Sequence, residues 1–221
     1  MNLPELQTFP YAAFDFDGTL ADSNGAYIRF CQACFLEAGR PVPQAFLERA
    51  KAMSLSDFCT ELSEALGCWD RAEVARRLTS FTEDFYSRRV TLKPGARKYL
   101  ELLRRRGTHM CILSATAERF IRMALEHLRL TEYFPFIVTP EQVHGLSKNR
   151  PDIFFLACRR FNTPSRHLVV LYDDSLEALR TAREAGLTAV GVYDDAGADT
   201  ASQIRAVCDA YIMGFDELLH A

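Results

Sequence analysis

Four aspartates stand in two tight groups, each at the end of an apolar run. The first group is Phe14-Asp15-Phe16-Asp17-Gly18-Thr19-Leu20, closing the run Ala12–Phe16; the second is Tyr172-Asp173-Asp174-Ser175, after the run His167–Leu171. Either group alone could cap a turn or a helix start, a common use of Asp. Brought together, the carboxylates would repel one another unless a cation lay between them. Mg²⁺ is the hard ion that typically takes one or two carboxylates together with waters and a phosphate. Gly18 allows an unusual backbone angle and close approach of a ligand to the main chain. Two further segments could serve an anion. Ser114-Ala115-Thr116 follows the run Met110–Leu113, where a hydroxyl and exposed N–H groups before a helix form either an anion cradle or an ordinary N-cap. Lys148, in Ser147-Lys148-Asn149-Arg150-Pro151-Asp152, is either solvated surface or, beside an acidic crevice, a counter-charge for a phosphate oxygen.

The elements that must carry these residues alternate. Apolar runs rich in β-branched and aromatic residues recur at Ala12–Phe16, Met110–Leu113, Phe136–Val138, Leu168–Tyr172 and Thr188–Tyr193, and suit strands buried on both faces. Amphipathic stretches of helix length lie between them: Gly95–Arg106, Ala117–Leu128, Asp152–Phe161 and Leu176–Ala185, two of them followed by Gly107 and Gly186. This alternation predicts an α/β, Rossmann-like three-layer parallel sheet. In such sheets ligands bind beyond the carboxyl ends of the strands, where both acidic groups fall. Residues 22–91 break the pattern and read as helices over Ala26–Ala38, Gln44–Met53, Ser56–Leu66 and Arg71–Arg89, punctuated by Pro41, Pro43 and Gly67. About 70 residues is too long for an ordinary βα connection. The expectation is an inserted all-helical domain at 22–91, with residues 1–21 and 92–221 forming the core.

Composition narrows the class. The 221 residues are 48% hydrophobic and 25% charged, globular proportions that exclude disorder as the main state. A net charge of −3 gives no general attraction to nucleic acid or anionic membrane. Seven Cys cannot all pair within one chain, and neither a secretory leader nor a membrane-spanning run is visible, so the expectation is a cytoplasmic protein with free thiols. Cys31 and Cys34 form a C-x-x-C, but with Tyr27, Phe30 and Phe35 they fall on one helix face. No second pair completes a zinc site, so core packing is the expected role.

The ordered set Asp15-Phe16-Asp17-Gly18-Thr19, Ser114, Lys148 and Asp173-Asp174 resembles the haloacid dehalogenase superfamily over nearly the whole chain. The helical block matches that family's cap domain, and the nearest likeness is to the branch of β-phosphoglucomutase and phosphoglycolate phosphatase. The resemblance implies Asp15 as the nucleophile that forms an aspartyl-phosphate and Asp17 as the general acid/base. It implies Mg²⁺ held by Asp15, the backbone carbonyl of Asp17 and Asp174, with Asp173 in support through water. It also implies phosphoryl contacts from Ser114, Ala115, Lys148, Gly18 and Thr19. Asp17 argues for phosphoryl transfer, because true dehalogenases lack this second acid. No His lies between Asp15 and His109, unlike the mutase, whose first cap helix carries one. Asn149 stands where Pro commonly follows the Lys, a change in loop stiffness.

The cap loop that approaches the catalytic residues in the family corresponds to 51–56, making Lys51 and Ser54 candidate substrate contacts. Lys51 is not at the position of the Schiff-base Lys of the phosphonate hydrolases. The expectation is therefore a Mg²⁺-dependent phosphatase for a small phosphorylated metabolite, with no nucleic-acid or membrane partner, as a monomer or weak dimer. The alternative is a phosphomutase passing the same phosphoryl group to a sugar hydroxyl. A receiver module phosphorylated on Asp is disfavoured, because receivers carry adjacent acids and no helical insert.

Overall fold

The computed structural model describes residues 2–50, 53 and 55–219. A six-stranded parallel sheet has the order β3-β2-β1-β4-β5-β6. Its strands are β1 (Tyr11–Phe14), β2 (His109–Leu113), β3 (Ile137–Val138), β4 (Val169–Asp173), β5 (Thr188–Val192) and β6 (Ala210–Ile212). The chain divides into two compact units, Met1–Ser23 with Val90–Ala221, and Asn24–Arg89.

In the first unit, alternation of side chains along the central strands feeds both faces of the sheet. Ala13 lies in register with Cys111 and Leu171, and this row packs on Ile153, Phe154, Ala157 and Cys158 of one helix (Asp152–Phe161). Phe14, one residue on, points the other way. It stacks on Tyr172 with ring centroids 4.7 Å apart, and Tyr99 from the helix Ala96–Arg105 and Phe215 complete that cluster. Such fully buried aromatic side chains contribute on the order of 2–3 kcal/mol each through lost contact with water. Burial on both faces explains why these strands read as continuous apolar runs. Gly95 caps the helix Ala96–Arg105 at φ 76°, and a Cβ there would lie 2.4 Å from the backbone N of Asp216. No larger residue fits that approach.

The order of the strands reverses direction between β1 and β4, which creates a crevice at their carboxyl ends. Near this end the chain leaves and re-enters the unit through paired segments: Asp22 N donates to the Thr91 carbonyl, and Ala21 bridges Leu92. Lys93 then ties the re-entry to the end of β5, its Nζ 2.7 Å from Asp194 and 2.6 Å from the Tyr193 carbonyl.

The second unit is helical: α1 (Ala26–Glu37), α2 (Gln44–Ala50), α3 (Leu55–Leu66), α4 (Arg71–Asp84) and a π-helical turn over Phe85–Arg89. Its core contains Phe30, Phe35, Phe46, Phe58, Leu62 and Val74, with Cys31 and Cys34 buried among them as free thiols. Asp70 caps α4 by accepting from Glu73 N at 2.8 Å. Arg77 lies 3.8 Å over the Trp69 ring while pairing with Glu37 and Glu73, which fixes α1 against α4.

Several elements differ from the sequence expectation. β1 stops at Phe14: after a last bond to β4, from Asp15 N to the Tyr172 carbonyl, the chain turns away, with Ala21 N on the Phe16 carbonyl. The single helix expected over Arg71–Arg89 changes to π geometry at Phe85. A helix at Ala201–Val207 and strand β6 were not anticipated.

Candidate active site

The two acidic groups meet in the crevice. Asp15 follows β1, Asp173 ends β4, and Asp174 follows it; one ligand oxygen from each lies within 4.8 Å of the others. Lys148 arrives from the loop before the helix Asp152–Phe161. Its Nζ donates to Asp15 Oδ1 at 2.7 Å and to Asp173 Oδ2 at 2.6 Å. The other oxygen of Asp173 accepts from Ser175 N at 2.8 Å, so both of its oxygens are engaged. Asp174 Oδ1 accepts from Thr19 Oγ1 at 3.0 Å. The three acids, Lys148 and Ser175, with Asp17, Ser114, Ala115, Thr116, Ser147, Asn149 and Glu177, line a cleft of about 280 Å³ in the first unit.

Charge crowding shows in the acidities. Burial pushes the Asp15 carboxyl up to about 6, with Asp173 adding to the rise and Lys148 opposing it. Burial also raises Asp174 well above its usual range, reinforced by Asp15 and Asp173. Lys148 is held above its ordinary value: burial alone would lower it, but the two carboxylates outweigh that. One ammonium therefore faces three acids. An all-oxygen set of this kind suits a hard divalent cation such as Mg²⁺, which would relieve the remaining repulsion.

The Ser114 segment sits at the end of β2, its N on the Val138 carbonyl. Ser114 does not cap the following helix, Glu118–His127, whose N-cap is Ala117. Ser114 Oγ instead accepts from Thr116 N at 3.1 Å. Ser175 does cap the helix Leu176–Glu184, accepting from Ala178 N. Gly18 adopts φ 79°, the left-handed conformation its type allows. Gly18 and Thr19, expected to touch phosphate, are buried and absent from the cleft lining; the Thr19 hydroxyl is turned onto Asp174 instead. Lys51 and Ser54 lie outside the described residues. Thr116 entered the sequence reading only within the Ser114-Ala115-Thr116 segment, with no link to Asp17. Its hydroxyl donates to Asp17 Oδ2 at 2.7 Å across 99 residues of chain, a contact that no local pattern announces.

Comparison with known proteins accords with this geometry. Residues 12–192 match the family model for haloacid dehalogenase-like hydrolases, and the chain belongs to that family. It is 26% identical over 175 residues to the phosphorylated carbohydrates phosphatase of Thermotoga maritima, covering 79% of this chain and 80% of that protein. It is 29% identical over 190 residues to the phosphoglycolate phosphatase of Pseudomonas putida, covering 81% and 67% respectively. In fold it is similar to YfnB of Bacillus subtilis, solved bound to magnesium, with a TM-score of 0.76 and 18% identity over 96% of this chain and 97% of the other. Among the described residues no helix is long and apolar enough to cross a membrane.

Proposed function

We propose that this chain is a Mg²⁺-dependent phosphatase that hydrolyses a phosphate monoester of a small metabolite through an aspartyl-phosphate on Asp15. The observation that carries the reading is the meeting of Asp15, Asp173 and Asp174 within 4.8 Å, with Lys148 bridging two of them. Two relatives are named as phosphatases of small phosphorylated compounds, which supports the substrate class.

Asp15 attacks phosphorus while the bond to the leaving oxygen breaks. Asp17 gives that oxygen a proton, then takes one from the water that attacks the phosphorus of the aspartyl-phosphate, and Asp15 leaves as a carboxylate. Splitting the displacement lets one carboxylate act as nucleophile and the other serve both proton transfers. Lys148, Ser114 and the Ala115 N–H hold phosphoryl oxygens where negative charge develops; removing one such preorganised donor commonly costs on the order of 10²–10³ in rate. Asp15, the Asp17 carbonyl and Asp174 would hold Mg²⁺, with Asp173 in support. When bound, the ion neutralises phosphoryl charge and orients the group for attack. The helical unit, residues 24–89, is the cap in this reading: a closing cap excludes bulk water and restricts entry to small molecules.

The test is a phosphate-release screen over sugar phosphates, phosphoglycolate, nucleotides and phosphonates, with Mg²⁺ and with EDTA. Release that depends on Mg²⁺ is expected. Isomerisation of glucose phosphates without free phosphate would favour the mutase instead, and full activity in chelator would remove the metal from the account.

A further inference from the structure

We infer that Thr116 is a positioning residue for the acid–base carboxylate Asp17, an inference that rests on the phosphatase reading above. Its Oγ1 donates to Asp17 Oδ2 at 2.7 Å, and both residues line the cleft. A carboxylate has two oxygens. With Oδ2 held by a hydroxyl, rotation of the group is restricted and the proton exchange runs on Oδ1. Threonine suits this task, since two heavy atoms on Cβ make its χ1 stiff and fix the direction of the hydroxyl. An ordinary helix-capping role does not account for the residue, because the N-cap of the following helix is Ala117. The backbone N of Thr116 donates to Ser114 Oγ at 3.1 Å. One short segment thus joins the hydroxyl proposed to hold the phosphoryl group to the residue that orients the acid, and it sets the distance between the two functions.

The two chemical steps depend on Asp17 differently, which makes the inference testable. With p-nitrophenyl phosphate, Asp15 forms its bond to phosphorus as p-nitrophenolate departs, a leaving group stable without a proton. The second step needs Asp17 Oδ1 to take a proton from water as the bond between phosphorus and Asp15 breaks. In Thr116→Val, which keeps the shape and loses the hydroxyl, the initial release of p-nitrophenolate should persist. Steady-state phosphate release should then fall roughly ten- to a hundredfold, the scale of a misplaced proton-transfer group. Phosphoenzyme should accumulate accordingly. Thr116→Ser, which retains the hydroxyl, should return turnover to within a few-fold of the parent. Equal steady-state rates in Thr116→Val and the parent would overturn the inference and leave the phosphatase reading intact. So would loss of both phases in Thr116→Val without rescue in Thr116→Ser. A parent protein that releases no phosphate from this substrate with Mg²⁺ would overturn both.

Discussion

Replacing Lys148 by Met tests how the acidic cluster is held. The Lys148 side chain is 12% exposed, and its partners Asp15 and Asp173 are 6% and 0% exposed, so this is not a solvated surface pair. Surface pairs contribute at most about 1 kcal/mol, whereas removing one partner of a buried pair costs about 3–5 kcal/mol because a charge is left uncompensated. Proton uptake limits that loss. Burial already pushes Asp15 up to about 6, and removing Lys148, which lowers it, moves it higher still. Between the unfolded carboxyl value near about 4 and this raised folded value, the folded variant binds more protons than the unfolded chain. Its stability therefore falls as pH rises through that window, and the deficit is largest above it. Urea unfolding of the metal-free parent and of Lys148→Met, at about pH 5 and about pH 8, measures both terms. A deficit of about 3–5 kcal/mol at the higher pH, shrinking at the lower, is expected. Mg²⁺ should stabilise the variant more than the parent, because the cation replaces the missing positive charge. A deficit below about 1 kcal/mol that does not change with pH would refute the reasoning.

Asp15→Asn should abolish turnover and leave the fold intact; because it removes one of the crowded carboxylates, the metal-free variant should melt at or above the parent temperature by calorimetry. Asp174→Ala should weaken Mg²⁺ more than Asp173→Ala in a calorimetric titration, since both oxygens of Asp173 are already taken by Lys148 and Ser175 N; the reverse order would exchange the two roles. In the metal-free parent, the raised Asp15 value should make stability decline as pH rises from about 4 to about 6, and saturating Mg²⁺ should flatten that slope in pH-dependent unfolding curves. Gly95→Ala should cost more than about 2 kcal/mol in urea unfolding, since it combines a left-handed backbone angle with a Cβ 2.4 Å from Asp216 N.

The parallel sheet was legible because its strands are buried on both faces and its helices are long enough to show a period. The helix Asp152–Phe161 has the bounds its apolar spacing predicts. Strand β6 was not legible: three residues, only one of them fully buried, carry too little pattern. The helix Ala201–Val207, at seven residues, is similarly short. At the site, residue types adjacent in sequence pointed to metal and phosphate chemistry, as with Asp15 and Asp17 or Asp173 and Asp174. Contacts across the fold were hidden. Thr19 meets Asp174 across 155 residues and Thr116 meets Asp17 across 99, separations that no local pattern of residue types spans. The family resemblance implied a phosphoryl contact for Thr19; the fold buries its hydroxyl and turns it onto the Asp174 carboxylate, a partner the motif alone does not name.

The central claim is that Asp15 itself carries the phosphoryl group during turnover. Its most direct test is rapid acid quenching during hydrolysis with Mg²⁺, followed by borohydride reduction and peptide mass spectrometry. An aspartyl-phosphate at position 15 would be recovered as homoserine there, and the signal would vanish in chelator. Phosphate release with Asp15 unmodified throughout, or with the group trapped on Ser114 instead, would contradict the account.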